Sequence, residues 1–202
     1  MAITINGNGT ITGVSVGGLP DGIVDTDMLA ANAVSSAKLA SGASGLREAD
    51  MWRLSANLSL TSGVATVLTS NWERPDTAND GFNYLGTGMS VDGNGVWTFP
   101  STGYWQVNFS ALWNAGGSTS DANWLYIQAT EDNATWESAV LQAESTDNGN
   151  TNSGHISTII DCTDTSNVKV RLRAYAGAAN QLVYGSSAQS RTYAQFLRLG
   201  DT

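Results

Sequence analysis

From Gly103 to Trp113 the chain reads GYWQVNFSALW, a strict alternation of apolar and polar positions. Trp105, Val107, Phe109, Ala111 and Trp113 fall on one side; Tyr104, Gln106, Asn108, Ser110 and Leu112 fall on the other. A period of two marks a strand with one face against a core. VKVRLRAY repeats the pattern, with Val168, Val170, Leu172 and Ala174 inward and Lys169, Arg171, Arg173 and Tyr175 outward. MWRLSANLSL, VATVLTS, MSV, VWTF, NWLYIQA, SAVLQAE, HISTIIDC and RTYAQFLRLG are the remaining strand candidates. DGNG, NAGGSTSDAN, TEDNAT and STDNGNTNSG lie between them and carry turn and loop chemistry. Roughly ten short strands, with no segment of helical period after the N-terminal region, predict an antiparallel β-sandwich.

The pattern changes near SGASGLREAD, residues 41–50. No aromatic residue precedes Trp52. Aromatic side chains dominate cores, so residues 1–45, rich in Gly, Ala, Asn and Ser, are expected to need a partner surface in order to fold. ITINGNGTITGVSVGGLPDG reads as short strands broken by Asn-Gly and Pro-Asp-Gly turns. Val24, Leu29, Val34 and Leu39 then recur at every fifth position. That period fits successive turns placing one apolar residue each on a common axis. A short Ala-rich helix capped by Asp25 or Thr26 is the other reading. Both give an apolar seam too thin for a monomer. The expected division is an extended stem, 1–45, and a C-terminal β domain, 46–202.

Composition narrows the function. The formal net charge is −9, with nine Lys and Arg against eighteen Asp and Glu. Phosphate binding needs a basic stripe, so nucleic acid is not the expected partner. No apolar run approaches the ~20 residues of a membrane helix, and no membrane insertion is expected. MAITINGNGT lacks the basic and apolar regions of a signal peptide, so synthesis in a cytoplasm followed by assembly is expected. The single cysteine, Cys162, cannot form an intrachain disulfide, and its alternation with Ile156, Thr158 and Ile160 reads as a small buried hydrophobe. The single histidine, His155, reads as a loop residue beside NTNSG.

Catalytic chemistry is not prominent. No Gly-x-Ser-x-Gly motif is present, and one His with one Cys is too few for a typical zinc site. Glu137, Glu144, Asp161 and Asp164 are the carboxylates that could pair for glycoside hydrolysis, but their spacing selects no two of them. Asp92, Asn94, Asp147, Asn148 and Asn150 offer calcium-type oxygen ligands without the EF-hand pattern, and read as turn residues. No enzyme activity, metal or cofactor is expected. Trp97, Phe99, Trp105, Phe109 and Phe196 read as core. Trp72, Trp136, Tyr175 and Tyr184 stand near loops or polar positions, and Trp136 and Tyr184 are the candidates for stacking on a sugar ring.

VWTFPSTGYWQVNFSALW resembles the signature of the tumour-necrosis-factor and complement-globular-head domains. In that signature an aromatic or aliphatic residue is followed by a short turn, then Gly, any residue, an aromatic, any residue and an apolar residue. Phe99, Gly103, Trp105 and Val107 fill those places. TYAQFLRL is similar to the family's closing strand, with Tyr193, Phe196, Leu197 and Leu199 at its aromatic and apolar positions. Gln195 departs from the usual Gly of the complement heads. The resemblance covers residues 51–202. It implies a ten-stranded jelly roll that forms threefold trimers and binds partners without catalysing a reaction.

GTITGVSVGGLPDGIVDTDMLAANAVSSAKLASGAS resembles N-terminal segments of tail fibres and other virion proteins of tailed bacteriophages, particularly those of marine and cyanobacterial hosts. Together the two resemblances imply a virion protein. Its stem, with the seam Val24, Leu29, Val34 and Leu39, would trimerise and dock on other virion proteins. Its trimeric knob would act as a short tail fibre or spike that binds a host-surface glycan. A capsid decoration or head-fibre protein is the alternative, and a glycan-degrading enzyme the more distant one.

Overall fold

The computed structural model describes residues 4–5, 11–12, 45–76, 83–114 and 119–202. The chain divides into two compact units, Met1–Ser44 and Gly45–Thr202. In the first, β1 (Thr4–Ile5) and β2 (Ile11–Thr12) pair antiparallel, with Thr4 opposite Thr12. The stem seam Val24, Leu29, Val34 and Leu39 lies outside the described residues.

The second unit is all β. Its chain order begins with β3 (Ala49–Leu54), β4 (Leu58–Ser59), β5 (Ala65–Val67), β6 (Trp72–Glu73), β7 (Tyr84–Leu85), β8 (Ser90–Val91) and β9 (Val96–Thr98). It continues with β10 (Gly103–Asn114), β11 (Ser120–Thr130), β12 (Glu137–Thr146), β13 (Thr151–Cys162), β14 (Lys169–Tyr175), β15 (Leu182–Val183) and β16 (Tyr193–Gly200). The long strands are those the alternation predicts. The additional ones, such as β6, β7 and β15, are two-residue pairings too short to leave a periodic signal.

Two antiparallel sheets form a jelly-roll sandwich. In the first, β10 pairs along its whole length with β13, from Gly103 opposite Cys162 to Asn114 opposite Thr151. Its other edge pairs with β16 and then β15. β16 continues to β3, which carries β6 and β7. The second sheet runs β12, β11, β14, with β9 and β5 both beside β14 and β8 beside β9.

The core lies between the sheets. Trp105, Val107, Phe109, Ala111 and Trp113 are all fully buried, in one cluster with Leu125 and Ile127 of β11 and Val170, Leu172 and Ala174 of β14. Trp97 is its aromatic centre: Trp52 and Trp72 meet it edge-on at 5.3 Å, and Phe196 lies at 5.0 Å. Trp72, which the sequence places near a loop, therefore belongs to the core wall, and its Nε1 donates to the Leu68 carbonyl at 2.8 Å. Cys162 is buried as expected.

Gly103 begins β10 at φ +138°, where a Cβ would strike the Gly200 carbonyl and the Arg198 guanidinium. The signature's glycine is thus needed at the point where β16 crosses the start of β10. Gln195 does not disturb the closing strand. It pairs with Asn108 and Met51, and its amide points to Met51 Sδ on the face away from the core.

Asp50 is a buried charged group of the wall. It is 2% exposed and accepts hydrogen bonds from Arg74 Nε (3.0 Å) and Nη2 (2.9 Å), Met89 N (2.6 Å) and Trp52 Nε1 (2.9 Å). The Arg74 guanidinium lies between the rings of Trp52 and Tyr84, at 4.4 and 4.7 Å. Breaking such a pair strands a charge, which costs far more than the pair itself contributes.

Three segments that the sequence places in loops are strand instead. His155 is not in a loop: it is an exposed residue of β13, opposite Ser110. The polar stretch 145–154 is mostly strand as well, because β12 and β13 continue through it and only 147–150 form the turn. Likewise β11 takes up residues 120–123 of the expected loop 115–123. Polar composition misleads here because strand faces turned to solvent carry the same Asn, Ser and Thr as loops.

Candidate functional site

Two surfaces stand out, one on the outward face of each sheet. On the first sheet, the outward positions of β10 are Tyr104, Gln106, Asn108, Ser110 and Leu112. Across the ladders they meet Asp161, Ile159, Ser157 and His155 of β13 and Leu197, Gln195 and Tyr193 of β16. Three large apolar groups in this region are open to solvent: Tyr104 at 43%, Ile159 at 59% and Leu199 at 54%. Further along β10, Asn108 and Ser110 are buried, Ser110 donating to the Gly154 carbonyl at 3.2 Å and Asn108 Oδ1 accepting from Gln106 Nε2 at 3.3 Å. The face therefore has a satisfied polar middle and an unpartnered apolar end, a pattern that marks interaction surfaces.

On the second sheet the outward rungs are Trp124 opposite Tyr175, Tyr126 opposite Arg173, Gln128 opposite Arg171 and Thr130 opposite Lys169. Trp124 and Tyr126 stack at 6.4 Å. The Arg173 guanidinium lies over Tyr126 at 5.7 Å, and that of Arg171 over Trp136 at 4.4 Å. Gln128 Oε1 accepts from both, from Arg171 Nε at 2.7 Å and Arg173 Nη1 at 3.1 Å. Burial, and then the neighbouring Arg173 charge, lower the Arg171 pKa from its ordinary value.

Trp136 is carried here by the turn after β11. Asp132 binds that turn through the Thr135 and Ala134 amides at 2.7 and 2.9 Å and the Thr130 and Thr135 hydroxyls at 2.8 and 2.9 Å. Those donors, the Thr135 amide foremost, hold its carboxyl well below the usual range. Beside the turn, Ala129, Thr130, Glu131, Asp132, Thr135 and Glu137 line a concavity of about 580 Å³.

The two sugar-stacking candidates are not brought together. Trp136 joins the second-sheet ladder, while Tyr184 follows β15 and has the Arg191 guanidinium 5.9 Å from its ring. Both rings are half-buried. Tyr175 joins the ladder, and Trp72 is withdrawn to the core wall. The candidate calcium ligands serve turns: Asp92 Oδ1 accepts from the Asn94 and Val96 amides at 2.9 Å each, and the Asn150 amide donates to the Asp147 carbonyl. Among the described residues no three His, Cys, Asp or Glu cluster as a metal site.

The alternation places Arg171 and Arg173 outward but does not single them out, nor Trp124, Tyr126 and Gln128. The signal was the alternation of NWLYIQ beside that of VKVRLRAY. What it lacked was the strand pairing that aligns the two.

No protein-family model matches the chain, and no curated protein matches it. Solved structures do. The chain is similar to Eiger TNF from S. frugiperda, at 13% identity and a TM-score of 0.56, over 78% of this chain and 94% of that one. It is similar to murine APRIL, at 12% identity and 0.52, over 75% and 98%. It is also similar to the PRD1 vertex protein P5, at 13% identity and 0.51, over 77% and 99%. At these identities the likeness is one of fold: the second unit is a jelly roll of the tumour-necrosis-factor type.

Proposed function

We propose that this protein is a structural component of a bacteriophage particle, a short trimeric tail fibre or spike. Residues 1–45 would trimerise and dock on other virion proteins, and residues 46–202 would form a knob that binds a host-surface glycan. The observation that carries the self-association is the outward face of the first sheet, where Tyr104, Ile159 and Leu199 are open to solvent. Three copies closed by cyclic symmetry would cover such a patch on every chain. The phage-like N-terminal segment supports the virion reading, and the fold shared with a vertex protein agrees with it. That same likeness favours the second reading, a protein seated on the capsid as a decoration or head fibre.

Labelling this protein on intact particles by immuno-electron microscopy tests the reading. Label at the tail tip supports the fibre, label over the head supports decoration, and no label on particles refutes both. Deleting residues 1–45 should leave a folded knob that no longer joins particles. A truncated knob that still incorporates would remove the stem as the docking element.

A further inference from the structure

We propose that the outward face of β11 and β14 is a binding strip for an acidic oligosaccharide, with rings stacking at its Trp124 end and a carboxylate held at Arg171. This rests on the glycan-binding reading above and adds the chemical class of the ligand and its place on the knob.

The chain has nine Lys and Arg in a net charge of −9, yet Lys169, Arg171 and Arg173 occupy alternate positions of one strand. Lys169 is committed to the Thr98 hydroxyl and the Thr165 carbonyl. Arg173 is partly committed, through Nη1 to Gln128 and Nη2 to the Ala65 carbonyl at 2.6 Å. Arg171 is different. Only its Nε is used, and among the described residues neither terminal amino group has a hydrogen bond or a carboxylate partner. Stacked on Trp136 and fixed at Nε by Gln128, which is 6% exposed, the guanidinium is held rather than free to turn. A planar, oriented guanidinium with its outer donors unused matches a carboxylate. The adjacent Arg173 charge raises the local potential further.

The rest of the strip supplies what a sugar ring needs. Trp124, Tyr126 and Tyr175 present half-buried rings within two rungs of Arg173. From Trp124 to Gln128, the rung of Arg171, the strand spans about 14 Å at ~3.4 Å per residue, long enough for two or three saccharide units; the Thr130–Lys169 rung beyond it is buried. Single-stranded nucleic acid also combines stacking with cations, but it needs a basic groove along its whole backbone, and here the Trp124–Tyr175 rung carries no cation in a chain of net charge −9.

The test is binding of the full-length protein to an oligogalacturonate of defined length, with a neutral dextran oligomer and a single-stranded DNA oligomer alongside, measured by calorimetry at low salt. Saturable binding of the uronate that weakens with added salt is expected, with dextran at least tenfold weaker. Arg171→Gln should weaken uronate binding tenfold or more, Arg171→Lys by less, and Trp124→Ala should weaken both sugars. Thermal unfolding of each variant shows that the fold is kept. If dextran binds as well as the uronate and Arg171→Gln changes nothing, the acidic class is wrong while glycan binding stands. If DNA outcompetes the uronate, or if no sugar binds, the strip is not a saccharide site. The virion reading is then still judged by particle labelling, which does not depend on this surface.

Discussion

Replacing Trp105 by alanine tests the core of the knob at its most committed position. The indole is fully buried, lies 5.4 Å from the Phe99 ring, and donates from Nε1 to the Ser101 carbonyl at 3.1 Å. Truncating a buried Phe or Trp to Ala costs about 3–5 kcal/mol. The lost ring contact and the stranded carbonyl place this site at the upper end, about 5 kcal/mol. A domain of this size has a total stability of about 5–15 kcal/mol, so the variant loses a third of it or more. The midpoint of thermal unfolding should fall by roughly 10–20 °C. Trp105→Phe keeps most of the packing and loses the hydrogen bond, so it should cost about 1–2 kcal/mol. Urea unfolding followed by circular dichroism, at one fixed protomer concentration, measures both variants. A loss below about 1 kcal/mol for Trp105→Ala would refute the placement of β10 as the inner strand of the sandwich.

Two further results are expected. Asp50→Ala strands the Arg74 guanidinium between Trp52 and Tyr84 and removes the acceptor of Met89 N, so unfolding measurements should show a loss of about 3–5 kcal/mol; a neutral outcome would mean the cluster is not formed. Burial pushes the Cys162 thiol up from 9.0 to about 11. Its neutral form is the folded one, so its contribution is complete below pH 9 and is lost as pH rises toward 11. The native protein should react with a thiol reagent only on unfolding, and Cys162→Ala should flatten the alkaline decline; rapid labelling of the native protein at pH 8 would contradict the burial.

Local periodicity made most of this fold legible. β10 and β14 alternate without interruption because one face of each is wholly buried, and their inward residues follow directly from the sequence. The long strands β12 and β13, joined by a short turn but lying in different sheets, were less legible. They are exposed over most positions, so STDNGNTNSG carries no apolar rhythm to separate strand from turn. The aromatic–arginine ladder and the Asp50–Arg74 pair join residues 43 and 24 positions apart. Neither could be read from one segment, because register across strands decides them. Trp136 could be singled out from its polar neighbours, but that it lies over Arg171 follows only from the turn that Asp132 holds.

Sedimentation equilibrium of the full-length protein at micromolar concentration measures its assembly, together with an Ile159→Asp variant that puts a charge on the outward face of the first sheet. A species of three chains is expected for the natural sequence, and a folded species of lower mass for the variant. A natural protein that sediments as a single chain would contradict trimer formation, and a variant that stays trimeric would move the association from this face to residues 1–45.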